Sequence, residues 1–418
     1  MLPEAAVPGD PGVGCAHGTD DEPAAADPPV ATPDDEPRAL QHAQVARDGG
    51  ERHPKRPGQD AHGGLAVGQA GEHGAAGRIG EGREGGVEGG RAILNHYVKY
   101  RGRGRRVSRV ARLGAMRIAV SGSNGLTGNA LIPVLETAGH QIVRLTRGGG
   151  PGRAAPGSVA WDPERGTIDR TALDGIDAAV HLAGEPILGR WTAAKKRRIA
   201  DSRIVGTAVL ADALAALRRP PSVLVCASAS GYYGDRGDEL ITEESAPGHG
   251  FLADVCRAWE AAADPARGAG IRVVLVRIGL VLARAGGLLK TLLPPFRLGL
   301  GGPLGRGRAY WSWIALDDLL QIFRFALDRD GLAGPVNAVA PNPVTNAVFA
   351  QTLGRVLHRP AVLPVPAVAL RLLFGHEAAD EAMLSGARLA PARLLASGFR
   401  FAFPDLEPAL RHVLTSDV

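Results

Sequence analysis

A short apolar run that ends in a glycine-rich turn and continues into a helix constrains the fold of this chain more than any other feature. Residues 116–121 (MRIAVS) form the run, residues 122–128 the turn, and residues 126–139 carry apolar side chains at helical spacing. Gly139-His140 ends the helix, and residues 141–146 supply a second, largely apolar strand. The pattern predicts a strand, helix, strand unit within about thirty residues, the building block of a parallel sheet.

Apolar segments further along the chain alternate with helical ones. Strands are predicted over 178–182, 223–227 and 273–278, and helices over 193–217 and 252–263. Strands that are apolar on both faces and alternate with helices are typical of a parallel sheet that is covered on both sides. We therefore predict an α/β fold, a Rossmann-type doubly wound parallel sheet.

The alternation loosens from about residue 284, where loops rich in Gly and Pro lead to short helices around 317–328, 345–357 and 366–374. We expect an NADP-binding domain at 116–283, for the reasons given below. Residues 284–418 are expected to form a smaller C-terminal substrate lobe, with some of its strands returning to the sheet.

The first 115 residues differ in composition from the rest. They are rich in Gly and Pro, contain no Phe or Trp and show no sustained period, so we predict a disordered extension. It ends in a basic run from Lys99 to Arg112, which suits a nucleic-acid arm or, more simply, a solvated tail. A third interpretation fits the Ala, Gly, Arg and Pro bias better: translated GC-rich sequence upstream of a true start at Met116.

Charge and cysteine content narrow the class of protein. The net charge of +5 is the small remainder of 48 basic and 43 acidic residues, which argues against a nucleic-acid partner. Three cysteines without paired spacing suit a reducing compartment, and no apolar run is long enough to span a bilayer. We expect a cytoplasmic protein with a small-molecule substrate, no membrane partner and, since the histidines show no ligand spacing, no metal; the sequence does not indicate an oligomeric state.

The glycine turn predicts a dinucleotide site. Glycine there permits a tight turn and a close approach of the backbone to a pyrophosphate, and the helix N-terminus offers free N–H groups. The candidate cofactor-binding residues of this turn are Gly122, Asn124, Gly125, Leu126, Thr127 and Gly128. The second strand ends in Thr146-Arg147, without the acid that would accept a ribose hydroxyl, so NADP is favoured over NAD. A solvated loop cation is the alternative interpretation of Arg147.

Together with His181-Leu-Ala-Gly184, these motifs resemble the extended short-chain dehydrogenase/reductase superfamily. The similarity narrows to an atypical branch of epimerase-family proteins, sometimes misnamed cell-division inhibitors and described as NADP-dependent oxidoreductases. The motifs that carry it, in chain order, are Gly184-Glu-Pro-Ile187, Ser202-Arg203, Ser228-Ala-Ser-Gly-Tyr-Tyr-Gly234, Trp259-Glu260, Arg277-Ile-Gly279, Gly299-Leu-Gly-Gly302, Trp313-Ile314, Asp317-Asp318 and Gly334-Pro-Val-Asn337. Residues at about 366–414 resemble the domain of unknown function that closes those proteins.

The resemblance implies further contacts with NADP. They would come from Thr146 and Arg147, from Leu182, Ala183 and Gly184 after a central strand, and from Arg203 on the following helix. Arg203 has a physical case of its own, since a guanidinium suits a phosphate. The alternative is a surface cation on a helix that also carries Lys195, Lys196, Arg197 and Arg198.

The same resemblance leaves catalysis incomplete. Reductases of the superfamily use a Tyr-x-x-x-Lys pair and a Ser or Thr, but the corresponding positions here are Leu252, Cys256 and Ala229. Nearby candidates for a catalytic role are Ser228, Tyr232 and Glu185. Tyr232 and Glu185 each have a structural alternative, because a tyrosine at a strand end is often a packing residue and an acid before a helix is often held by the helix dipole.

Two hypotheses of function therefore remain. The first is an atypical NADP(H)-binding reductase or epimerase that acts on an unidentified small carbonyl or sugar-nucleotide-like substrate. The second is a non-catalytic NADP-binding sensor or structural module. The absent Tyr and Lys favour the second hypothesis, whereas the Ser-rich loop, Glu185 and the substrate lobe favour the first.

Overall fold

The computed structural model describes residues 114–147 and 157–415. The predicted disordered extension lies outside the described residues, except for residues 114 and 115. The segment that a start at Met116 would remove is this same extension.

The elements follow one another in a largely alternating order. The strands are β1 (Arg117–Ser121), β2 (Gln141–Thr146), β3 (Ser158–Asp162), β4 (Thr167–Ile168), β5 (Ala178–His181), β6 (Val223–Ala229), β7 (Leu240–Ile241), β8 (Arg272–Ile278), β9 (Leu280–Leu282), β10 (Tyr310–Trp311), β11 (Trp313–Ala315), β12 (Gly334–Ala338), β13 (Val344–Thr345) and β14 (Arg388–Leu389). The helices are α1 (Leu126–Thr137), α2 (Ala193–Ala215), α3 (Phe251–Ala261), α4 (Asp264–Gly268), α5 (Gly287–Arg297), α6 (Leu316–Asp328), α7 (Asn346–Leu357), α8 (Ala367–Phe374), α9 (His376–Ala379), α10 (Ala392–Ala396) and α11 (Leu406–Thr415).

Eight strands form the main sheet in the order β12-β8-β6-β5-β1-β2-β3-β4. All neighbours pair in parallel except β3 and β4. The chain adds β2 and β3 on one side of β1 and then crosses to add β5 on the other, so the strand order reverses between β1 and β5. In doubly wound sheets ligands bind at this switch point, outside the carboxyl ends of the strands.

Alternate residues of the strands supply the cores on the two faces of the sheet, which confirms the predicted fold class. Ile118 and Val120 pack with α1 and α6 on one face, whereas Ala119 packs with α2 on the other, as the period of two requires. The sequence did not predict β3, because this five-residue strand has only three apolar residues, Val159-Ala-Trp161, after a Gly- and Pro-rich segment.

The C-terminal part of the chain pairs with the preceding part at two strands, and hydrogen bonds join its own segments. β12 returns to the edge of the main sheet beside β8, and β14 pairs with β7 in a separate two-stranded sheet. Asp318 accepts hydrogen bonds from the backbone N–H groups of Ala402 and Phe403 at 2.8 and 2.9 Å. Among the described helices, none combines the length and apolar character that crossing a bilayer requires.

Candidate functional site

The turn between β1 and α1 is so tightly packed that two of its positions require glycine. Gly122 has a φ of +66°, and a Cβ there would lie 2.7 Å from the backbone nitrogen of Ala183. A Cβ on Gly128 would lie 2.2 Å from the carbonyl oxygen of Gly122. The turn is tight, with the Gly125 N–H donating to the carbonyl oxygen of Gly122 at 3.0 Å, and it lies directly against the end of β5.

Helix α1 begins without a side-chain cap. Its N-cap residue is Gly125, which has no side chain to accept a hydrogen bond, and its first turn, within the described residues, contains no acid. Asn124 and Gly125 are exposed, and Leu126 and Thr127 are half-buried. A helix start of this kind leaves N–H groups and the positive end of the helix dipole open to an anion.

Ser121 and His181 join the ends of β1 and β5, a pair that sequence reasoning missed. The Ser121 hydroxyl oxygen accepts hydrogen bonds from the backbone of Leu182 (3.1 Å) and Ala183 (3.4 Å) and lies 2.6 Å from Nδ1 of His181. Burial lowers the pKa of His181 to about 4, so the ring is neutral at neutral pH. The signal in the sequence was a polar residue at the last position of each apolar strand.

Thr146 and Arg147 lie where the sequence placed them, at the carboxyl end of β2. Thr146 is half-buried, Arg147 is exposed, and β2 lies in parallel register beside β1. The two residues therefore share a sheet edge with the glycine turn.

Arg203 reaches from α2 to the end of β5. Its guanidinium lies under Gly184, donates to the carbonyl oxygens of Glu185 (3.0 Å) and Ile199 (3.1 Å), and is 5.2 Å from the ring of Trp259. In the described part of the chain, no carboxylate is hydrogen-bonded to it. Burial lowers the pKa of Arg203, and the charge of Glu185 acts to raise it. This half-buried cation therefore lacks the hydrogen-bonded carboxylate that such a group ordinarily has.

A cavity of about 610 Å³ opens at the carboxyl ends of β6 and β8, between the sheet and the C-terminal part of the chain. Arg203 is part of its wall. The sheet side and α3 contribute Ala229, Ser230, Gly231, Leu252, Cys256, Ile278 and Gly279, and the C-terminal side contributes Tyr310, Trp311, Asp380, Glu381, Ser385, Gly386 and Ala387. The cavity thus unites segments that are far apart in the sequence.

Leu252 and Cys256, the residues at the Tyr and Lys positions of the superfamily, both face this cavity. Gly231 packs against them, since a Cβ there would lie 3.3 Å from Leu252 and 3.9 Å from the Cys256 sulfur. Burial raises the pKa of Cys256 to about 12, so the thiol is neutral. The nearest cation on the cavity wall is Arg203, whose charge acts on Cys256, and not a lysine on α3.

The three candidate catalytic side chains lie outside the cavity wall. Ser228 is buried and donates to Glu260 at 2.6 Å, and the Tyr232 ring lies 3.5 Å from the Arg277 guanidinium. Glu185 accepts a 2.7 Å hydrogen bond from Lys195, which lowers the pKa of this carboxylate.

A buried ion pair explains the position of Ser228 and Tyr232. Arg277, 3% exposed, makes two 2.8 Å hydrogen bonds to Glu260 and one of 2.7 Å to the Tyr233 hydroxyl. Burial acts to lower the pKa of Arg277, but Glu260 raises it above its usual range. The network takes up the hydroxyls of Ser228 and Tyr233. In the part of the chain that the structure describes, no three His, Cys, Asp or Glu side chains converge as a metal site would need.

Comparison with known families agrees with this geometry. The sequence profile of the NAD dependent epimerase/dehydratase family matches residues 118–338, and that of a domain of unknown function, DUF1731, matches residues 365–413. Both matches lie where the sequence motifs indicated.

Relatives and solved structures extend the similarity over the described region. An epimerase family protein of Mycobacterium tuberculosis is 44% identical over 301 residues, which cover 71% of this chain and 97% of that protein. The human epimerase family protein SDR39U1, crystallised with NADPH, is 36% identical with a TM-score of 0.65, over 71% of this chain and 99% of the human one. A Corynebacterium glutamicum protein described as a nucleoside-diphosphate sugar epimerase is 38% identical with a TM-score of 0.60, over 73% of this chain and 60% of that protein.

Proposed function

The chain belongs to the NAD dependent epimerase/dehydratase family, and we propose that it is an atypical NADP(H)-dependent reductase or epimerase that acts on a small carbonyl compound or the corresponding alcohol. The observation that carries the proposal is Arg203, a half-buried cation without a carboxylate partner, on the wall of a cavity at the same sheet edge as the glycine turn. The NADPH bound to the human relative supports the choice of cofactor.

The cofactor would lie along the sheet edge from β2 to β6. The backbone N–H groups at Leu126 and Thr127 would bind the diphosphate. Gly122, Asn124, Gly125 and Gly128 would shape the turn, in which the Gly125 N–H donates to the carbonyl oxygen of Gly122 at 3.0 Å. At the adenine end Thr146 and Arg147 would bind the 2′-phosphate, and Leu182, Ala183 and Gly184 would line the ribose side. A nicotinamide cofactor supplies a hydride donor or acceptor when it is bound.

Arg203 would act at the reacting end of the cavity. Its position beside Cys256 brings a fixed positive charge to the place where the superfamily has a lysine. There it would hold the cofactor or polarise the carbonyl oxygen of the substrate.

Proton transfer would then come from a hydroxyl on the cavity wall. Tyr310 is the only phenol among the described residues of that wall, and Ser230 lies at the end of β6. A phenol is a stronger acid than an alcohol, so we favour Tyr310 as the donor and Ser230 as the group that orients the carbonyl. Ser228, Tyr232 and Glu185 would each need to leave the partners described above to take either role.

The specific observation that favours a non-catalytic sensor is the pair Leu252 and Cys256. Leucine has no proton to give, and the Cys256 thiol stays neutral because burial raises its pKa to about 12. A sensor would bind NADP(H) at the same turn and would not turn it over.

Turnover separates the two functions. NADPH oxidation should be followed with a panel of small aldehydes and ketones, after affinity has been measured by fluorescence titration. We expect turnover that falls at least tenfold in kcat in Arg203→Met and in Tyr310→Phe. Arg198→Met, on the same helix and more exposed, is the matched control and should leave kcat unchanged. Tight NADPH binding without turnover on any member of the panel would contradict the enzyme and favour the sensor.

A further inference from the structure

The charged side chains on the cavity wall are mostly acidic. Asp235, Asp380 and Glu381 are acidic, and Asp380 is paired with Arg371 at 2.9 Å. Among the described residues of the wall Arg203 is the only lysine or arginine, and the proposed function already assigns it to the cofactor or the reacting oxygen. For an anionic part of a substrate the described wall then offers one other basic side chain, the exposed His249.

Glu381 occupies a place on this wall where an anion would otherwise bind. Its two carboxylate oxygens accept hydrogen bonds from the backbone N–H groups of Phe251 (3.0 Å) and Leu252 (2.9 Å), at the start of α3. The preceding residue is Gly250, with a φ of +104°, and a Cβ there would lie 2.8 Å from the Glu381 carboxylate. The protein's own carboxylate thus occupies the N-terminus of an eleven-residue helix that otherwise attracts phosphates and carboxylates.

The remaining wall suits an uncharged molecule. Ile187, Leu280, Leu288 and Trp311 are apolar contributors to the lining. The diphosphate of a sugar nucleotide carries two negative charges and needs cations or several N–H donors when it leaves water. On this wall Arg203 is already assigned and Glu381 covers the N–H groups of Phe251 and Leu252, so one histidine, His249, would have to balance two charges.

From these observations we infer that the cavity selects uncharged or positively charged carbonyl compounds and excludes phosphate, diphosphate and carboxylate groups, with Glu381 as the residue that determines this specificity. The inference rests on the proposed function for the reaction itself. It excludes sugar nucleotides as substrates, one of the two substrate classes that the sequence left open.

The test measures binding and not turnover, so that its failure is distinct from a failure of the proposed function. Full-length protein saturated with NADP is titrated calorimetrically with benzaldehyde, 4-(trimethylammonio)benzaldehyde, 4-carboxybenzaldehyde and UDP. We expect the carboxylate probe to bind at least tenfold more weakly than the neutral and cationic probes, and UDP not to bind at low millimolar concentration. Equal affinity for the carboxylate and neutral probes, or binding of UDP in the micromolar range, would overturn the inference.

Variants test the role of Glu381 directly. Glu381→Gln keeps the size of the side chain and removes its charge, so the affinity for 4-carboxybenzaldehyde should rise at least fivefold. Glu244→Gln removes the same charge from an exposed residue that does not line the cavity, and it should change nothing. A smaller gain in Asp380→Asn supports the same conclusion if Glu381→Gln unfolds, which thermal melting would reveal. Equal affinities in all these variants, or no binding of any probe to any of them, would overturn the assignment.

Discussion

At β1 and β5 the sheet edge is held by close backbone packing, whereas at β6 and β8 it is held by a buried ion pair. Gly122 and Gly128 bring the first turn against the end of β5, and Ser121 bonds to the backbone there. At β6 and β8, Arg277 and Glu260 are hydrogen-bonded to one another and to the hydroxyls of Tyr233 and Ser228.

The two arrangements leave different hydrogen-bonding groups available to a ligand. Backbone packing keeps the start of α1 uncapped, so its N–H groups are open to phosphates. The ion pair instead takes up the hydroxyls of Ser228 and Tyr233. A polar residue at a strand end is therefore available for chemistry only where neighbouring charges have not already bound it.

The largest expected effect lies at the ion pair. Glu260→Ala leaves Arg277 buried without its partner, and we expect the free energy of unfolding to fall by about 3–5 kcal/mol. Urea denaturation measures it. Glu239→Ala breaks the more exposed pair with Arg236 and should cost under about 1 kcal/mol; similar losses in both variants would show that the Glu260 pair is not what holds this end of the sheet.

The next largest effect is a loss of folding stability at low pH, which we attribute to His181 at the end of β5. The pKa of His181 is about 4 in the folded protein and 6.5 when unperturbed. Between these values the unfolded chain binds a proton that the folded chain does not, so stability falls as the pH is lowered from about 6.5 to 4, by about 3 kcal/mol. Urea unfolding at pH 7 and pH 4 should show this loss much reduced in His181→Asn and retained in His358→Asn, a change at an exposed histidine. Equal losses in the two variants would contradict the assignment.

Cofactor binding tests the packed turn. Gly122→Ala should weaken NADPH binding at least 100-fold, about 2.7 kcal/mol, because the new Cβ would overlap the backbone of Leu182 and Ala183. Gly139→Ala is the matched control, since Gly139 also has a positive φ of +93° but no atom within 4 Å of the added Cβ. Its affinity should equal that of the wild type, and a comparable loss in both would mean that backbone strain, and not the clash, is responsible.

The preference for NADPH over NADH tests the adenine end of the proposed cofactor site. We expect at least a tenfold preference for NADPH over NADH, about 1.4 kcal/mol, and its reversal in Arg147→Asp. Fluorescence titration of both cofactors measures it, with Arg165→Asp, at another exposed arginine, as control. No preference in the wild type would remove Arg147 from the site.

The smallest effect on cofactor affinity is expected at Cys256, which with Leu252 takes the place of the Tyr and Lys pair of the superfamily. Cys256→Ala should change NADPH affinity by less than tenfold, because a neutral thiol gives only a weak hydrogen bond. Calorimetric titration decides it. A larger loss would mean that the sulfur touches the cofactor, and Cys256 would become a catalytic candidate.

The parts of the molecule that the sequence revealed are local. The turn at Gly122 and the strand end at Thr146-Arg147 are read from consecutive residues, since each depends on one strand and the residues directly after it. The alternating strands and helices likewise predict the sheet, apart from β3 and β4 and from the position of β12, for which the sequence indicated only that some later strands return to the sheet.

The parts that it did not reveal come from distant segments. The cavity brings Arg203 together with Tyr310 and Glu381, and no spacing rule links residues so far apart. The partners of Ser228 were equally hidden, because Glu260 and Arg277 lie on α3 and β8 and meet it only when the sheet has formed. Arg203 was singled out as a phosphate contact, and only the structure brings it beside Cys256.

The pairing of β14 with β7 has a consequence for the order in which the site is assembled. Residues from β1 to α2 complete the glycine turn and the end of β5 from the first part of the described chain, whereas the cavity needs Glu381 and the strand at Arg388–Leu389. During synthesis the residues of the phosphate surface therefore leave the ribosome well before those that complete the cavity wall, and the core behind β1 also waits for α6.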